Sequence, residues 1–392
     1  MNRSLWLLAA CQGLYLTNNV TFIAINGLVG LALAPVGWLA TLPVMGYVVG
    51  GALSTGLVAR TQQHWGRQAS FQAGLLVALL AALLCAWAAF SRDFWLLCAA
   101  TVVAGYYNAN AGLYRFAAAE LVDAPAREKA VSLVMAGGLL GAVVGPNLAA
   151  RTRDLLPVPF AGAYLALAGV ALLSMALMAR LRFPPAPARA SVAAGRPLSE
   201  LMRQPAFIVA AAAGALSYGV MNLLMAATPI AMQQCGLPFG DAALVLQWHV
   251  IGMFAPGFFT GSLIKHFGAL PVMGAGVLLN LACIAVALSG VDLHQFLVAL
   301  FLLGVGWNFL FTGSTTLSLS TYRPEERDKA QGALNFFVMA TLALSSLASG
   351  VLVTTSGWAL LNWGSLLPLA LTAAALAWLA LRERRAPAGG AA

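Results

Sequence analysis

Residues 206–232 read AFIVAAAAGALSYGVMNLLMAATPIAM, a mostly apolar stretch without a single Asp, Glu, Lys or Arg. At a rise of about 1.5 Å per residue, a helix of about 20 such residues crosses the roughly 30 Å of hydrocarbon in a bilayer. Lipid offers the backbone no hydrogen-bond partner, and a helix satisfies its own N–H and C=O groups. The stretch therefore predicts a transmembrane helix.

Similar stretches recur along the whole chain of 392 residues, of which 61% are hydrophobic and 8% are charged. The mean hydropathy is +0.86. A water-soluble domain needs more charge on its surface, so this composition excludes a soluble globular fold. We expect an all-α integral membrane protein with twelve transmembrane helices. Their predicted bounds are 5–32, 37–59, 69–90, 94–117, 130–151, 158–180, 206–232, 241–264, 270–289, 295–320, 330–354 and 359–381.

The basic residues support an even number of helices, because cytoplasmic loops are rich in Lys and Arg. With the N-terminus in the cytoplasm, twelve helices place all 21 basic residues in cytoplasmic segments except Arg92, Arg115, Arg151 and Arg153. Arg outnumbers Lys 18 to 3, as in bacterial genes rich in G and C. We expect a multi-pass protein of a bacterial inner membrane with both termini cytoplasmic. The net charge of +9 does not indicate nucleic-acid binding, because it is scattered over separate loops.

Parts of the sequence repeat at a spacing of about 200 residues. The repeated pairs are Asn108 and Asn308, segments 127–130 (REKA) and 327–330 (RDKA), and segments 64–66 (HWG) and 266–268 (HFG). A shared spacing of this kind is typical of carriers built from two related halves. We therefore predict two six-helix halves, residues 1–181 and 204–392. A Pro-, Ala- and Arg-rich cytoplasmic linker, residues 182–203, joins them.

One loop carries a recognisable motif. Residues 261–268 (GSLIKHFG) resemble the loop signature of the major facilitator superfamily, although Lys265 replaces the usual Asp. The corresponding stretch of the first half, residues 56–67, departs further from the signature. The resemblance covers essentially the whole chain and implies a carrier that works by alternating access. Gly137, Gly141 and Gly145 only loosely resemble the superfamily's fifth-helix motif, and close helix packing is the simpler interpretation.

The sequence lacks the usual motifs of enzymes. It contains no phosphate-binding Gly-Lys loop, no nucleophile elbow and no pair of carboxylates at membrane depth. All 12 Asp and Glu residues fall in predicted loops or at helix ends, whereas proton relays commonly use an intramembrane carboxylate. We expect a protein that is not an enzyme and has no resident cofactor.

Soft metal ligands occur in the seventh and eighth predicted helices. Met221 and Met225 are four residues apart and share a helix face, as do His249 and Met253. Counted from the outer helix ends at about 1.5 Å per residue, the four reach a similar depth. Three thioethers and one imidazole suit Cu(I). Methionine is also a common filler of apolar cores, and the residue pattern leaves both interpretations open.

This pattern resembles the signature of the CcoA-like copper importers, a bacterial branch of the superfamily. The resemblance implies import of copper, bound at Met221, Met225, His249 and Met253, to supply cytochrome oxidase biogenesis. Copper would then be the transported substrate rather than a cofactor, and periplasmic or cytoplasmic copper chaperones would be partners. Cys235, near the predicted outer mouth, is a possible accessory ligand.

Two other functions stay open. The same branch includes riboflavin transporters, and an aromatic solute would suit a pocket of tyrosines and asparagines. Its candidate residues are Tyr106, Tyr107, Tyr114, Asn18, Asn19, Asn26 and Asn108. A membrane chaperone that hands over metal without transporting it is the third hypothesis. Arg115, the single formal charge well inside a predicted span, resembles the superfamily's fourth-helix arginine, with snorkelling to the membrane surface as the alternative.

Overall fold

The computed structural model describes residues 3–123, 126–183 and 195–385, and its regular structure there is entirely helical. The prediction of an all-α protein is confirmed. The fourteen α-helices are α1 (Arg3–Leu33), α2 (Leu42–Ser91), α3 (Phe94–Ala111), α4 (Tyr114–Glu120), α5 (Arg127–Thr152), α6 (Ala161–Met178), α7 (Leu198–Leu201), α8 (Pro205–Gln234), α9 (Phe239–Phe254), α10 (Gly257–Phe267), α11 (Ala269–Ser289), α12 (Leu293–Leu319), α13 (Arg327–Thr355) and α14 (Gly357–Arg385). Short 3-10 turns occupy Gly37–Leu39 and Pro324–Glu326.

The predicted count of twelve membrane-crossing helices stays a prediction. Nine helices in the described residues are long and apolar enough to cross a membrane, and the bent pair α9 and α10 makes ten. This count does not confirm twelve. One reason is that α2 counts as one helix here, although it consists of two helices, one for each of two predicted spans, joined by a kink at the non-helical Gly66. The other is that α3 ends at Ala111, after the polar residues Asn108 and Asn110, so the fourth predicted span is broken.

Two glycines of the sequence repeat adopt nearly the same backbone conformation. Gly66 has φ 79° and ψ 172°, and Gly268 has φ 89° and ψ 163°. Side chains other than glycine rarely adopt such a positive φ, so both positions favour glycine. The match fits a repeat of the first half in the second. The bounds of the two halves stay a prediction, and residues 184–194 of the predicted linker lie outside the described residues.

The end of the predicted linker is bound to the second half by a buried ion pair. Nε and Nη2 of Arg196 each donate a 2.8 Å hydrogen bond to the Glu326 carboxylate, whose side chain is fully buried. The Arg196 backbone N–H donates a third bond of 2.9 Å. The hydrogen bonds from Arg196 hold the pKa of Glu326 well below its usual value, so the carboxylate stays charged at cellular pH. The linker is thereby tied to the turn between α12 and α13.

Small residues let α1 and α5 pack with their backbones almost in contact. A β-carbon at Gly141 would collide with the Gly13 carbonyl oxygen, and one at Gly137 would collide with that of Ala9. Glycine is thus required at both positions by the close approach of the two helices. The packing interpretation of the glycine run fits these contacts.

We expect Gly141→Val to destabilise the protein, because two added methyl groups and the β-carbon force α1 and α5 apart. Overpacking of this kind costs about 1–3 kcal/mol. The matched control is Gly169→Val in α6, because a β-carbon at Gly169 meets nothing within 4 Å. The melting temperature of the purified protein in detergent, followed by tryptophan fluorescence, should fall for the first variant only. Equal melting temperatures would contradict the packing assignment.

Candidate functional site: a central aromatic cluster

Asn108 on α3 is the centre of a polar network in the first half. Its Oδ1 accepts a 2.6 Å hydrogen bond from the Tyr15 hydroxyl and a 3.4 Å bond from Asn19 Nδ2. Asn19 Nδ2 also lies 3.2 Å from the Tyr47 hydroxyl. These residues come from α1, α2 and α3, so the network fixes three helices relative to one another. Asn108, Tyr15 and Asn19 remain half-buried.

Tyrosine rings surround this network. The Tyr15 ring packs edge-to-face against Tyr107 and Tyr114, with centroids 5.7 and 6.3 Å apart. Tyr106, grouped with them in the sequence analysis, instead places its hydroxyl 3.2 Å from Thr61 Oγ1. The structure therefore brings Tyr107 and Tyr114 to Asn108 through Tyr15, and Tyr106 belongs to a separate buried network.

The second half contributes an aromatic group of its own. Trp307 stacks on Phe311, with centroids 5.1 Å apart and ring planes 9° apart. Tyr218 of α8 packs edge-to-face against both, at 5.1 and 5.2 Å, and Phe254 lies 6.3 Å from Trp307. The indole Nε1 of Trp307 is buried and has no hydrogen-bond partner among the described residues. A buried donor of this kind is available to a ligand.

The aromatic group of the second half lies against the first half. Tyr218 and Phe311 pack on an apolar cluster that contains Val48 of α2 together with Ala215, Val338 and Leu342. Arg115 is exposed near the start of α4, directly after Tyr114, with its guanidinium 4.8 Å from the centroid of the Phe116 ring. We define the central aromatic cluster as Tyr15, Tyr107, Tyr114, Tyr218, Trp307 and Phe311.

Contacts between the halves lie at the face opposite the chain termini. Thr41 Oγ1 donates to the Ser346 carbonyl oxygen (2.5 Å) and accepts from the Gly350 N–H (2.9 Å). Asn147 Nδ2 donates to Gln247 Oε1 at 2.7 Å. Farther out, the rings of Phe160 and Phe239 pack edge-to-face, 5.0 Å apart. These bonds hold the halves together on that side of the central aromatic cluster.

The four predicted copper ligands are all buried. Met221, Met225 and Met253 belong to one apolar core, and His249 has no exposed surface. His249 Nδ1 lies 2.7 Å from the Leu300 carbonyl oxygen on α12. A carbonyl only accepts, so we assign the proton to Nδ1, which leaves Nε2 a bare lone pair without a partner in the described residues. A shared metal geometry for the four stays a prediction.

Cys235 lies apart from the predicted copper ligands. It caps the C-terminus of α8, about 15 Å along the helix from Met225. Its exposed thiol lines a cavity of about 350 Å³ together with Trp358. The described residues contain no group of three or more His, Cys, Asp or Glu residues placed to hold a metal ion.

Sequence reasoning missed several residues in or next to the central aromatic cluster. Tyr15, Tyr47 and Tyr218 are tyrosines inside predicted spans, and a hydroxyl at that depth needs a partner. That signal could have identified them. Phe254 and Phe311 carry no such signal, because a phenylalanine in a membrane helix looks the same whether it faces lipid, core or cavity.

Long apolar helices that close at one face around a polar and aromatic centre are typical of membrane carriers. A family model described as Major Facilitator Superfamily matches residues 5–255 and 210–392. The chain belongs to this superfamily, and its role is transport rather than enzymatic catalysis.

Three relatives illustrate the similarity. The chain is 39% identical to the riboflavin transporter RfnT of Brucella anthropi over 100% of this chain and 98% of that protein. It is 27% identical to the uncharacterized MFS-type transporter YddS of Bacillus subtilis, over 82% of this chain and 78% of that protein. A bacterial homolog of the human lysosomal transporter Spinster, solved in an inward-facing and unoccupied conformation, shares the fold. Its TM-score is 0.74 at 14% identity, covering 96% of this chain and 97% of that chain.

These comparisons confirm the resemblance to the superfamily, and they give the copper importer branch no support. The most informative relative is named for riboflavin, which was the alternative in the sequence analysis.

Proposed function

We propose that this protein carries riboflavin, or a closely related aromatic solute, across the membrane. The observation that carries the proposal is the 39% identity, over the full length of the chain, to a protein named as a riboflavin transporter. The central aromatic cluster is the part of the structure with the chemistry that such a solute needs.

Riboflavin has a flat aromatic ring system with one polar edge and a chain of hydroxyl groups. A flat ring stacks favourably on other aromatic rings, and the half-buried Phe311, itself stacked on the buried Trp307, offers such a ring. Asn108 and Asn19 offer amide groups to the polar edge or the hydroxyl chain, and Arg115 offers a cation to the ring carbonyls. Pockets of this type combine apolar walls with a few polar groups that fix orientation.

Accessibility also favours the central aromatic cluster over the methionine core. A carrier's site has to be reached by its solute, and Tyr15, Tyr218, Phe311 and Asn108 are half-buried, although Trp307 behind them is buried. Met221 and Met225 are 3% and 4% exposed and pack within the apolar core, as filler methionines do. In alternating access, the face opposite the termini would open when the bonds of Thr41 and Asn147 break.

We expect Trp307→Ala to reduce riboflavin uptake at least about tenfold, because the substitution removes the stacked ring face from the cluster. A tenfold change corresponds to about 1.4 kcal/mol, within the range for loss of a large aromatic contact. The measurement is uptake of radioactive riboflavin by cells that cannot synthesise or otherwise import it. Trp307→Phe should retain part of the activity.

The matched control is Trp363→Ala, because Trp363 lies in the same half with 57% of its surface exposed on α14. This variant should transport like the wild type. The proposed function would be rejected if cells with the wild-type protein in their membrane took up no more riboflavin than cells with an empty vector.

Copper import is the second candidate, and one observation favours it. His249 Nε2 is a buried lone pair without a partner in the described helices, one turn from the thioether of Met253. An imidazole lone pair beside neutral sulfur is a favourable donor set for Cu(I). The partners would then be copper chaperones on either side of the membrane.

If copper is carried, His249→Ala should abolish accumulation of radioactive copper in cells while riboflavin uptake and protein level persist. The reason is that the substitution removes the one nitrogen ligand. Met232→Leu is the control, since this buried methionine of α8 lies outside the predicted ligand set. Wild-type proteoliposomes that take up riboflavin but no copper would eliminate this candidate, and proteoliposomes that take up neither would favour the metal chaperone.

We further propose that the face bearing the termini is cytoplasmic and that the membrane is the bacterial inner membrane, because the basic loops lie on that face. A green fluorescent protein fused after residue 392 should therefore fluoresce, and alkaline phosphatase fused there should be inactive. The reverse pattern would place the termini outside.

A further inference from the structure

The junction between α9 and α10 is a break in a membrane-embedded helix pair. The two helices meet at Ala255 and Pro256 with a bend of 40°. Proline has no N–H to donate, so the helical hydrogen bonds cannot run through this position. The last bond of α9 runs from the Ala255 N–H to the Ile251 carbonyl oxygen, and the next begins at the Phe258 N–H.

Asn308 of α12 spans this break with its side chain. Its Nδ2 donates a 2.7 Å hydrogen bond to the Met253 carbonyl oxygen at the end of α9. Its Oδ1 accepts a 2.7 Å bond from the Thr260 hydroxyl of α10. Because a carbonyl only accepts, the bond to Met253 fixes which way the amide points. One side chain thus holds both sides of the bend.

The Thr260 hydroxyl has two acceptors and one proton. Its Oγ1 lies 2.7 Å from Asn308 Oδ1 and 2.8 Å from the Pro256 carbonyl oxygen. A hydroxyl donates one full hydrogen bond at a time, so it either ties α10 to α12 or bonds to its own helix. Two alternative hydrogen bonds of similar length allow the Thr260 side chain to switch between two states.

Helix α9 packs more tightly against the rest of the protein than α10 does. A β-carbon at Gly304 of α12 would collide with the His249 carbonyl oxygen, so α9 and α12 pack backbone to backbone. In α10, by contrast, the buried residues are Thr260 and Ile264. A helix with so little buried surface is the more easily displaced of the two.

The break also adjoins the central aromatic cluster. Phe254, the last residue of α9, lies 6.3 Å from Trp307, the neighbour of Asn308 on α12. Phe254 directly follows Met253, whose carbonyl oxygen accepts the hydrogen bond from Asn308. A solute that stacks on Trp307 would change the contact between Trp307 and Phe254. The contact between Phe254 and Trp307 therefore links solute binding to the position of the helix break.

We propose that the break between α9 and α10 is a hinge of the transport cycle and that Asn308 is its positioning residue, holding α10 through Thr260 until solute binds at Trp307. This inference rests on the proposed function for the identity of the solute. Whether the break acts as a hinge can be tested without solute.

The test compares Thr260→Val and Asn308→Ala with Thr260→Ser and a control, Asn280→Ala. Asn280 is a buried asparagine of the same half, and both of its amide atoms lack a hydrogen-bond partner among the described residues. Hydrogen–deuterium exchange of the purified proteins without solute should rise within residues 251–267 for the first two variants. Thr260→Ser and Asn280→Ala should match the wild type.

Riboflavin is the probe for transport. Thr260→Val should lower the maximal uptake rate in proteoliposomes at least about tenfold, while the Kd, measured by quenching of riboflavin fluorescence, changes less than about threefold. Thr260→Ser should restore the rate. If Thr260 and Asn308 were merely structural, their substitution would raise hydrogen–deuterium exchange across all helices, or it would weaken riboflavin binding and lower the uptake rate in parallel. Either result would overturn the hinge. Exchange confined to 251–267 in a protein that does not bind riboflavin would support the hinge and reject the proposed function.

Discussion

Inside a bilayer, hydrogen-bonding groups find partners only within the protein, and this constraint shapes the helix break at Pro256. At Gly66 and Gly268, outside the predicted spans, the chain turns with a positive φ that glycine allows. At Pro256 the helix cannot continue its own bonds, and the Asn308 amide supplies a donor to the Met253 carbonyl. Polar side chains are rare in this chain because each has to be matched to such a need.

The two asparagines of the sequence repeat show how related halves come to differ. Asn108 and Asn308 occupy equivalent positions, 200 residues apart, on α3 and α12. Asn108 accepts from side chains, Tyr15 and Asn19, and so helps to form the wall of the central aromatic cluster. Asn308 bonds to the main chain across a helix break. Asn108 thus joins side chains from different helices, whereas Asn308 joins the two sides of a helix break.

The copper and riboflavin hypotheses draw on different parts of the second half. The methionines and His249 lie in the apolar core, where the Nδ1 proton is committed to Leu300 and the lone pair of Nε2 has no described partner. Trp307 belongs to the same core, whereas Tyr15, Tyr218 and Phe311 are half-buried. A solute as large as a flavin needs such half-buried groups, because a movement of the halves changes access to them.

The sequence by itself determined the helical membrane fold and the candidate status of Asn108, Tyr107 and Tyr114, while the superfamily and the transport role entered as what a resemblance at residues 261–268 implies. It could do so because the length of an apolar run follows directly from bilayer thickness, and because a polar group at that depth stands out. It did not determine that α3 ends at Ala111 or that Asn308 spans the break at Pro256, since both depend on neighbouring helices. Nor could it show that Tyr15 meets Tyr107 or that Tyr218 meets Trp307, because residues distant in sequence become neighbours only when the helices pack. The same holds for Phe254 and Phe311, whose role depends on the face they turn to the cavity, and that was decided by the tertiary structure alone.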